Sequence, residues 1–367
     1  MSFSSCSVDS TGFGTLYVDR RLAGPPALAE ARERLPGLEC RFVASAGEIP
    51  AEARNQRTLY LSRPRGRTVS RCPGSPGQLC CNYLTVDLYL GCTLGCAYCI
   101  MRSYLNFSPV TVYLDPDPTL ARLEAIARSN SDRIVRVGTG EVGDSLLLDP
   151  VFRLSERFIR RLASYPNMFL ELKTKTNHVD HLLSIEPKGN AVIGFSVNPP
   201  EMVQAWEPGA ASLEQRLEAA QRAIEAGYRV SFHFDPIFLK RPTGAEALGD
   251  YRSLARRIAG LPADRVAWIS LGGLRYTPTL KERIGEVPFL YEEFVPGRDG
   301  KYRYPQKVRT RLYSALLAEL RALARVPVYL CMESPAAWRL SFGRLPAQIP
   351  EIRDIFKKAK RVPPGPG

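Results

Sequence analysis

The feature that most constrains this chain is a loop carrying three cysteines, Cys92, Cys96 and Cys99, in the stretch VDLYLGCTLGCAYCIM from Val86 to Met101. The C-x3-C-x2-C spacing follows an apolar, strand-like run and falls within one tight loop, so three thiolates can face a single centre. Iron–sulfur cubes are normally held by four thiolates, and a three-ligand loop leaves one iron of a [4Fe–4S] cluster open. S-adenosylmethionine can close that position through its amino and carboxylate groups. A structural zinc site needs a fourth ligand and usually a second C-x2-C pair, and the sequence has no second pair. Scattered core cysteines have no reason to keep this spacing, or to sit beside Gly91 and Gly95.

The 367 residues suffice for one large barrel with additions or for two domains. An apolar fraction of 45% and a charged fraction of 24% are those of an ordinary globular protein. No run of about 18 apolar residues occurs, so no membrane span is expected. The opening MSFSSCSVDSTGFG lacks the basic-then-apolar order of a secretory signal. Nine cysteines, an odd number, are too scattered for a disulfide framework and fit a reducing, cytoplasmic setting. A net charge of +13 suits a polyanionic partner, nucleic acid foremost. Charge alone does not decide this, because arginine-rich composition also follows from genomic base bias.

Residues 1–83 form an N-terminal extension, with a helix expected around Pro26 to Arg34 and strands near Leu16 to Val18 and Cys40 to Ala44. Its last part, Ser62 to Cys81, is basic and punctuated by Pro and Gly, which predicts an extended arm. Arg63, Arg65, Arg67 and Arg71 on that arm can follow a phosphate backbone. From Leu84 strands and helices alternate. Strand-like runs at Val86–Leu90, Arg133–Gly138, Met168–Lys173, Ala191–Val197, Arg229–Phe234 and Val266–Leu271 are expected, with helices near Asp117–Ala127, Val151–Leu162, Leu213–Ala226 and Ala245–Ala259. Six alternations predict an α/β fold, a partial (β/α)6 TIM-type barrel of parallel strands over residues 84–275. Loops after the strands gather at one end of such a barrel, and small or polar residues sit there: Gly138 to Glu141, Lys173 to Lys175, Ser196 and Asn198, His233 and Asp235. Residues 276–367 complete the fold. A hairpin is expected to turn at Pro296 to Gly300, with Arg298, Lys301, Tyr302, Arg303 and Tyr304 as candidate nucleic-acid contacts. A helix from about Lys307 to Arg325 and a strand from Val326 to Leu330 then lead to Cys331, and the tail RVPPGPG is expected to lack fixed structure.

Several segments resemble the spore photoproduct lyase family of the radical S-adenosylmethionine superfamily: GCTLGCAYC, KTKTNHVDHLL from Lys173, FSVNPP from Phe195, WEPGAASLEQRLEAAQRAIEAGYRV from Trp206, and DPI from Asp235. The likeness covers residues 84 to 325. It implies an enzyme that cleaves a methylene-bridged thymine dimer in DNA with a 5′-deoxyadenosyl radical, charged by a flavodoxin- or ferredoxin-type electron donor. It also implies Cys92, Cys96 and Cys99 as cluster ligands. Tyr98, Lys175, Ser196 and Asn198, with Thr139, Gly140 and Glu141, would contact S-adenosylmethionine, and the basic, aromatic hairpin would be a wedge beside the flipped lesion. Two positions depart from the family pattern. The cysteine that returns a hydrogen atom falls at Gly138, and a tyrosine of the same relay at Ile100. Cys331 is a candidate replacement, and, with Tyr98, a candidate catalytic residue. Cys72, Cys80 and Cys81 are a second source of a donor, or with Cys331 of an auxiliary cluster. Another substrate (modified RNA, a peptide or a metabolite) and a nucleic-acid-binding iron–sulfur protein without radical chemistry stay open at this point.

Overall fold

The computed structural model describes residues 12–22, 26–64, 66–105, 109–357 and 359. Cys6, Arg65 and the RVPPGPG tail lie outside them. The chain opens with β1 (Thr15–Asp19), β2 (Cys40–Val43), β3 (Thr58–Ser62), β4 (Val69–Arg71), β5 (Leu84–Val86), β6 (Tyr89–Leu90) and β7 (Val110–Tyr113). It continues with β8 (Val135–Gly138), β9 (Met168–Thr174), β10 (Ala191–Ser196), β11 (Arg229–Ile237) and β12 (Val266–Gly273). The last strands are β13 (Arg275–Tyr276), β14 (Val295–Pro296), β15 (Tyr302–Arg303) and β16 (Val328–Leu330).

The main sheet has eight strands in the order β16-β12-β11-β10-β9-β8-β5-β4. All neighbours are parallel except β4 and β5, which pair antiparallel at the edge. This is the expected curled β/α sheet, and it closes further than six strands. Side chains alternate along each strand, and the alternation is polar on the concave side. On β9, Leu170 and Leu172 are buried under the helices, while Glu171 and Lys173 border a cavity. On β11, Val230, Phe232 and Phe234 are buried, and His233 and Asp235 border the same cavity. Register then lines up Ser196, His233, Ser270 and Tyr329 across four neighbouring strands. The Leu213–Glu225 helix begins in a capping box, Ser212 with Gln215, and packs its apolar face on β10 and β11.

Three expectations change. The run Val86–Leu90 is two strands of two sheets: β5 belongs to the barrel, whereas β6 pairs antiparallel with β7. With β1, β2 and β3 these form a second, five-stranded sheet, β2-β1-β3-β7-β6, so the cysteine loop leaves from one of its strands and returns into the next. The expected helix Val151–Leu162 breaks at Arg153, whose φ is 52°. The break follows from Asp149, whose Oδ1 accepts the backbone N–H of Ser155 and restarts the helix. The arm from Ser62 to Cys81 is not free: β4 pairs with β5, Leu79 bridges Glu333, and the Arg71 guanidinium donates to the Ala359 carbonyl.

The hairpin is present as β14 and β15, extended by β13 into a three-stranded sheet. Its side chains divide. Arg298 is exposed, Tyr302 is half-buried and stacked on Tyr276 at 5.4 Å, and Lys301 donates to Ser75 Oγ at 3.0 Å. Arg303 and Tyr304 are corrected as nucleic-acid contacts, being only 4% and 0% exposed. Arg303 is locked by two 2.6 Å hydrogen bonds to Asp299, and Tyr304 stacks on Phe294 while its oxygen accepts the Leu239 N–H. Among the described residues no helix is long and apolar enough to cross a membrane.

Candidate active site

A cavity of about 650 Å³ opens at the carboxyl ends of the barrel strands, and Cys92, Cys96 and Cys99 all border it. Their loop is shaped locally and clasped from behind. Gly91 and Gly95 take φ values of 82° and 68°, in the region only glycine enters freely. Gly91 N–H donates to the Val142 carbonyl, and Cys99 N–H to the Cys96 carbonyl. The Trp206–Ala210 segment supplies the clasp: Ala97 N–H donates to Trp206 O at 2.9 Å, and Gly209 N–H to Leu94 O at 3.0 Å. A Cβ on Gly209 would lie 2.9 Å from the Leu94 backbone, which explains the glycine after Glu207-Pro208.

Glu207 is the anchor of this wall. Its buried carboxylate accepts from the Tyr98 hydroxyl, from Asn198 Nδ2 at 2.9 Å and from the Arg216 guanidinium. Burial alone would raise its pKa, but Arg216 and Lys175 hold it below the usual carboxylate value. Tyr98 packs edge-on against Phe238, and Lys175 Nζ lies 5.8 Å from the centre of its ring. Asp144 orders the neighbouring loop. Its Oδ1 accepts from Leu146 N, Leu147 N and the Thr174 hydroxyl, and its Oδ2 from Lys175 N.

Of the residues expected to contact S-adenosylmethionine, Tyr98, Gly140, Glu141, Lys175 and Ser196 border the cavity. Thr139 and Asn198 are not among the residues that border it. The Thr139 hydroxyl donates to Ser145 at 2.7 Å, while Asn198 is held between Glu207 and the Tyr251 hydroxyl. Glu141 pairs with Lys173. The Lys173 ammonium is half-buried, and Glu141 and Glu171 raise its pKa. Motif histidines His178 and His181 sit behind the wall, the latter 2.7 Å from Asp149.

The opposite wall carries residues that the spacing of the cysteines could not announce. Glu171 Oε1 accepts from Ser231, His233 Nε2 and Trp268 Nε1. Burial would raise its pKa, but His233 and Arg136 hold it low. Asp235 makes a paired contact with Arg275 at 3.0 Å. Cys331, expected at this mouth, does border the cavity, with Arg275 Nη2 3.7 Å from its sulfur, and burial pushes its thiol well up. Cys72, Cys81 and Tyr83 complete this side. An i, i+2 rhythm of polar residues within apolar strands, Glu171/Lys173 and His233/Asp235, was the available signal for it.

The cysteine wall fits an iron–sulfur cube. Three thiols free of disulfides share one cavity wall. Among the described residues no group of three or more His, Cys, Asp or Glu gathers closely enough for a single metal ion. Burial pushes the Cys92 thiol up and the Cys96 thiol to about 12, so both await an electropositive partner to become thiolates.

A curled parallel sheet with a three-cysteine loop at its carboxyl end defines a radical S-adenosylmethionine enzyme. Comparison with known proteins narrows this. The family model described as spore photoproduct lyase matches residues 79–282, and the chain belongs to that family. It is 28% identical over 233 residues to a spore photoproduct lyase of Geobacillus sp. (strain Y412MC61), covering 63% of this chain and 67% of the relative. To the spore photoproduct lyase of Bacillus subtilis (strain 168) it is 28% identical over 176 residues, covering 47% of this chain and half of that protein. A solved spore photoproduct lyase complexed with dinucleoside spore photoproduct superimposes with a TM-score of 0.72 at 22% identity, over 87% of this chain and 98% of the other. A variant solved with AdoMet and the same dinucleoside gives 0.73 at 22% identity, with the same coverage.

Proposed function

We propose that this chain cleaves the methylene-bridged thymine dimer of DNA by radical chemistry, as the name of its family denotes. The observation that carries the reading is the shared cavity: three cluster-spaced cysteines on one wall and a set of strand-end polar groups facing them. Cys92, Cys96 and Cys99 would hold a [4Fe–4S] cluster and leave one iron for S-adenosylmethionine. When bound, these groups supply the electron and the 5′-deoxyadenosyl radical that takes hydrogen from the lesion.

The chain's own residues do the rest. Tyr98, fixed by Glu207, presents an aromatic face beside the cluster loop, and Lys175 and Glu141 offer opposite charges for the carboxylate and amino group of the cofactor. Gly140 lets its loop pack closely on β9, since a Cβ there would meet the Lys173 carbonyl at 2.7 Å. The net charge of +13 favours a DNA partner. Arg298, Lys301 and Tyr302 on the hairpin would hold the strand beside the lesion. A flavodoxin- or ferredoxin-type protein would deliver the electron.

The test uses anaerobically reconstituted, reduced protein with S-adenosylmethionine and an oligonucleotide carrying spore photoproduct. Released thymines together with 5′-deoxyadenosine are expected. Formation of 5′-deoxyadenosine with an intact lesion would overturn the substrate, and its absence despite a full cluster would overturn the radical chemistry.

A further inference from the structure

Gly138 ends β8 at the cavity, and a Cβ built on it would fall on the hydroxyl oxygen of Tyr83. The tyrosine therefore fills the place of a side chain that strand β8 does not have. Tyr83 is 5% exposed and borders the cavity. Its ring lies under the Arg136 guanidinium, 5.3 Å from carbon to centroid, a contact that fixes the plane of the phenol. Its hydroxyl makes no well-formed hydrogen bond among the described residues. The neighbouring Glu171 Oε1 already accepts from Ser231, His233 and Trp268. Burial and the Glu171 charge keep the phenol protonated.

A lyase that leaves a carbon radical on its product needs an X–H group that surrenders a hydrogen atom, and among side chains thiols and phenols do so. Those bordering this cavity differ in their partners and in where they stand. The Tyr98 hydroxyl is given to Glu207, and the Tyr329 oxygen receives Arg136 at 2.9 Å. Cys331 is bound between Arg275 and Asp235. Cys72 and Cys81 each share a hydrogen bond with Cys80. The Tyr83 hydroxyl donates no well-formed hydrogen bond among the described residues, and it stands where a side chain on Gly138 would begin.

Resting on the lyase reading above, we propose that Tyr83 is a catalytic residue, the hydrogen-atom donor that quenches the product radical, and that Gly138 is glycine to make room for it. The product carbon forms a C–H bond as the Tyr83 O–H breaks homolytically, leaving a neutral phenoxyl radical. One electron from the flavodoxin- or ferredoxin-type reductant and one proton from water return it to phenol. Arg136 is a positioning residue, acting through the ring it covers.

The experiment compares wild type, Tyr83→Phe, Cys331→Ala and the exchange Tyr83→Ala/Gly138→Cys on the spore photoproduct oligonucleotide in D2O. Cluster absorbance and 5′-deoxyadenosine are measured first, then products and their deuterium by mass spectrometry. Wild type should release thymine carrying one solvent deuterium. Tyr83→Phe should still form 5′-deoxyadenosine and consume the lesion, with at least a tenfold loss of deuterated thymine in favour of abnormal products. The exchange should recover most of that loss, because its thiol stands where the phenol stood. Tyr83→Phe with wild-type yield and deuterium content overturns the proposal, and so does loss on Cys331→Ala instead. Wild type that forms 5′-deoxyadenosine but leaves the lesion intact overturns the lyase reading and the donor role with it, a result visible before any variant is compared.

Discussion

Arg216 and Arg136, two of the arginines buried among the described residues, are used differently. Arg216 is 0% exposed and fully engaged: Nε donates to Ala211 O, Nη1 to Ser196 O and Nη2 to Glu207. Arg136 is 4% exposed, donates only through Nη2 to Tyr329, and lies against Trp268, Tyr83 and Tyr329 with Nε and Nη1 unmatched among the described residues. The first stands behind the cluster loop, the second behind the wall opposite it. A buried donor left unmatched costs roughly 1–3 kcal/mol. The cluster side is thus finished in itself, and the facing side keeps polar capacity that stability alone does not require.

The largest break in this contrast is Cys96→Ala. It should remove the cluster absorbance and all 5′-deoxyadenosine formation, and turnover by this variant would end the radical reading. Next is Glu207→Gln, which leaves the Arg216 charge buried without its partner. Breaking a buried pair costs about 3–5 kcal/mol, to be read as a lower midpoint of urea unfolding. Arg136→Met should cost less than half as much, because methionine preserves the packing and removes a charge that was only partly matched. Equal losses in the two variants would erase the distinction drawn between the two walls.

A smaller effect belongs to Gly209→Ala. The new methyl group would press on Leu94 from 2.9 Å and shift the cluster loop. Overpacking of this kind costs about 1–3 kcal/mol, and the loaded cluster per chain should fall while the fold persists. An unchanged cluster content would mean that the Trp206–Ala210 clasp does not set the loop.

How legible this molecule was in its sequence divides along the same line. The cysteine loop and the barrel strands could be read because spacing and alternation are local properties. Lys175 and Ser196 could be placed because loops after barrel strands share one end. Strands Thr58–Ser62 and Val110–Tyr113 escaped: each is short and buried on nearly every residue, so it lacks the alternation that marks a half-exposed strand. That the Asn198 amide holds Glu207 could not be read, because a strand-end amide looks the same in sequence whether it faces the cavity or supports its wall. Arg303 and Tyr304 looked like an exposed basic and aromatic pair, and only tertiary contacts with Asp299 and Phe294 hide them. Gly138 looked like a missing side chain. The space is filled from β5's approach by Tyr83, a pairing that sequence order cannot show because 55 positions separate the two residues.

The hairpin carries the smallest expected effect and tests whether exposure, rather than composition, decides a DNA contact. Arg298 is exposed, whereas the Tyr304 hydroxyl is spent on the Leu239 N–H. Arg298→Ala should weaken binding to a duplex oligonucleotide a few-fold and lower the slope of log affinity against log salt by about 1, as loss of one phosphate contact does. Tyr304→Phe should leave both affinity and slope unchanged, although it alters the more aromatic part of the segment. The reverse pattern would show that the hairpin opens when DNA binds, exposing the stacked Phe294–Tyr304 pair as the true wedge.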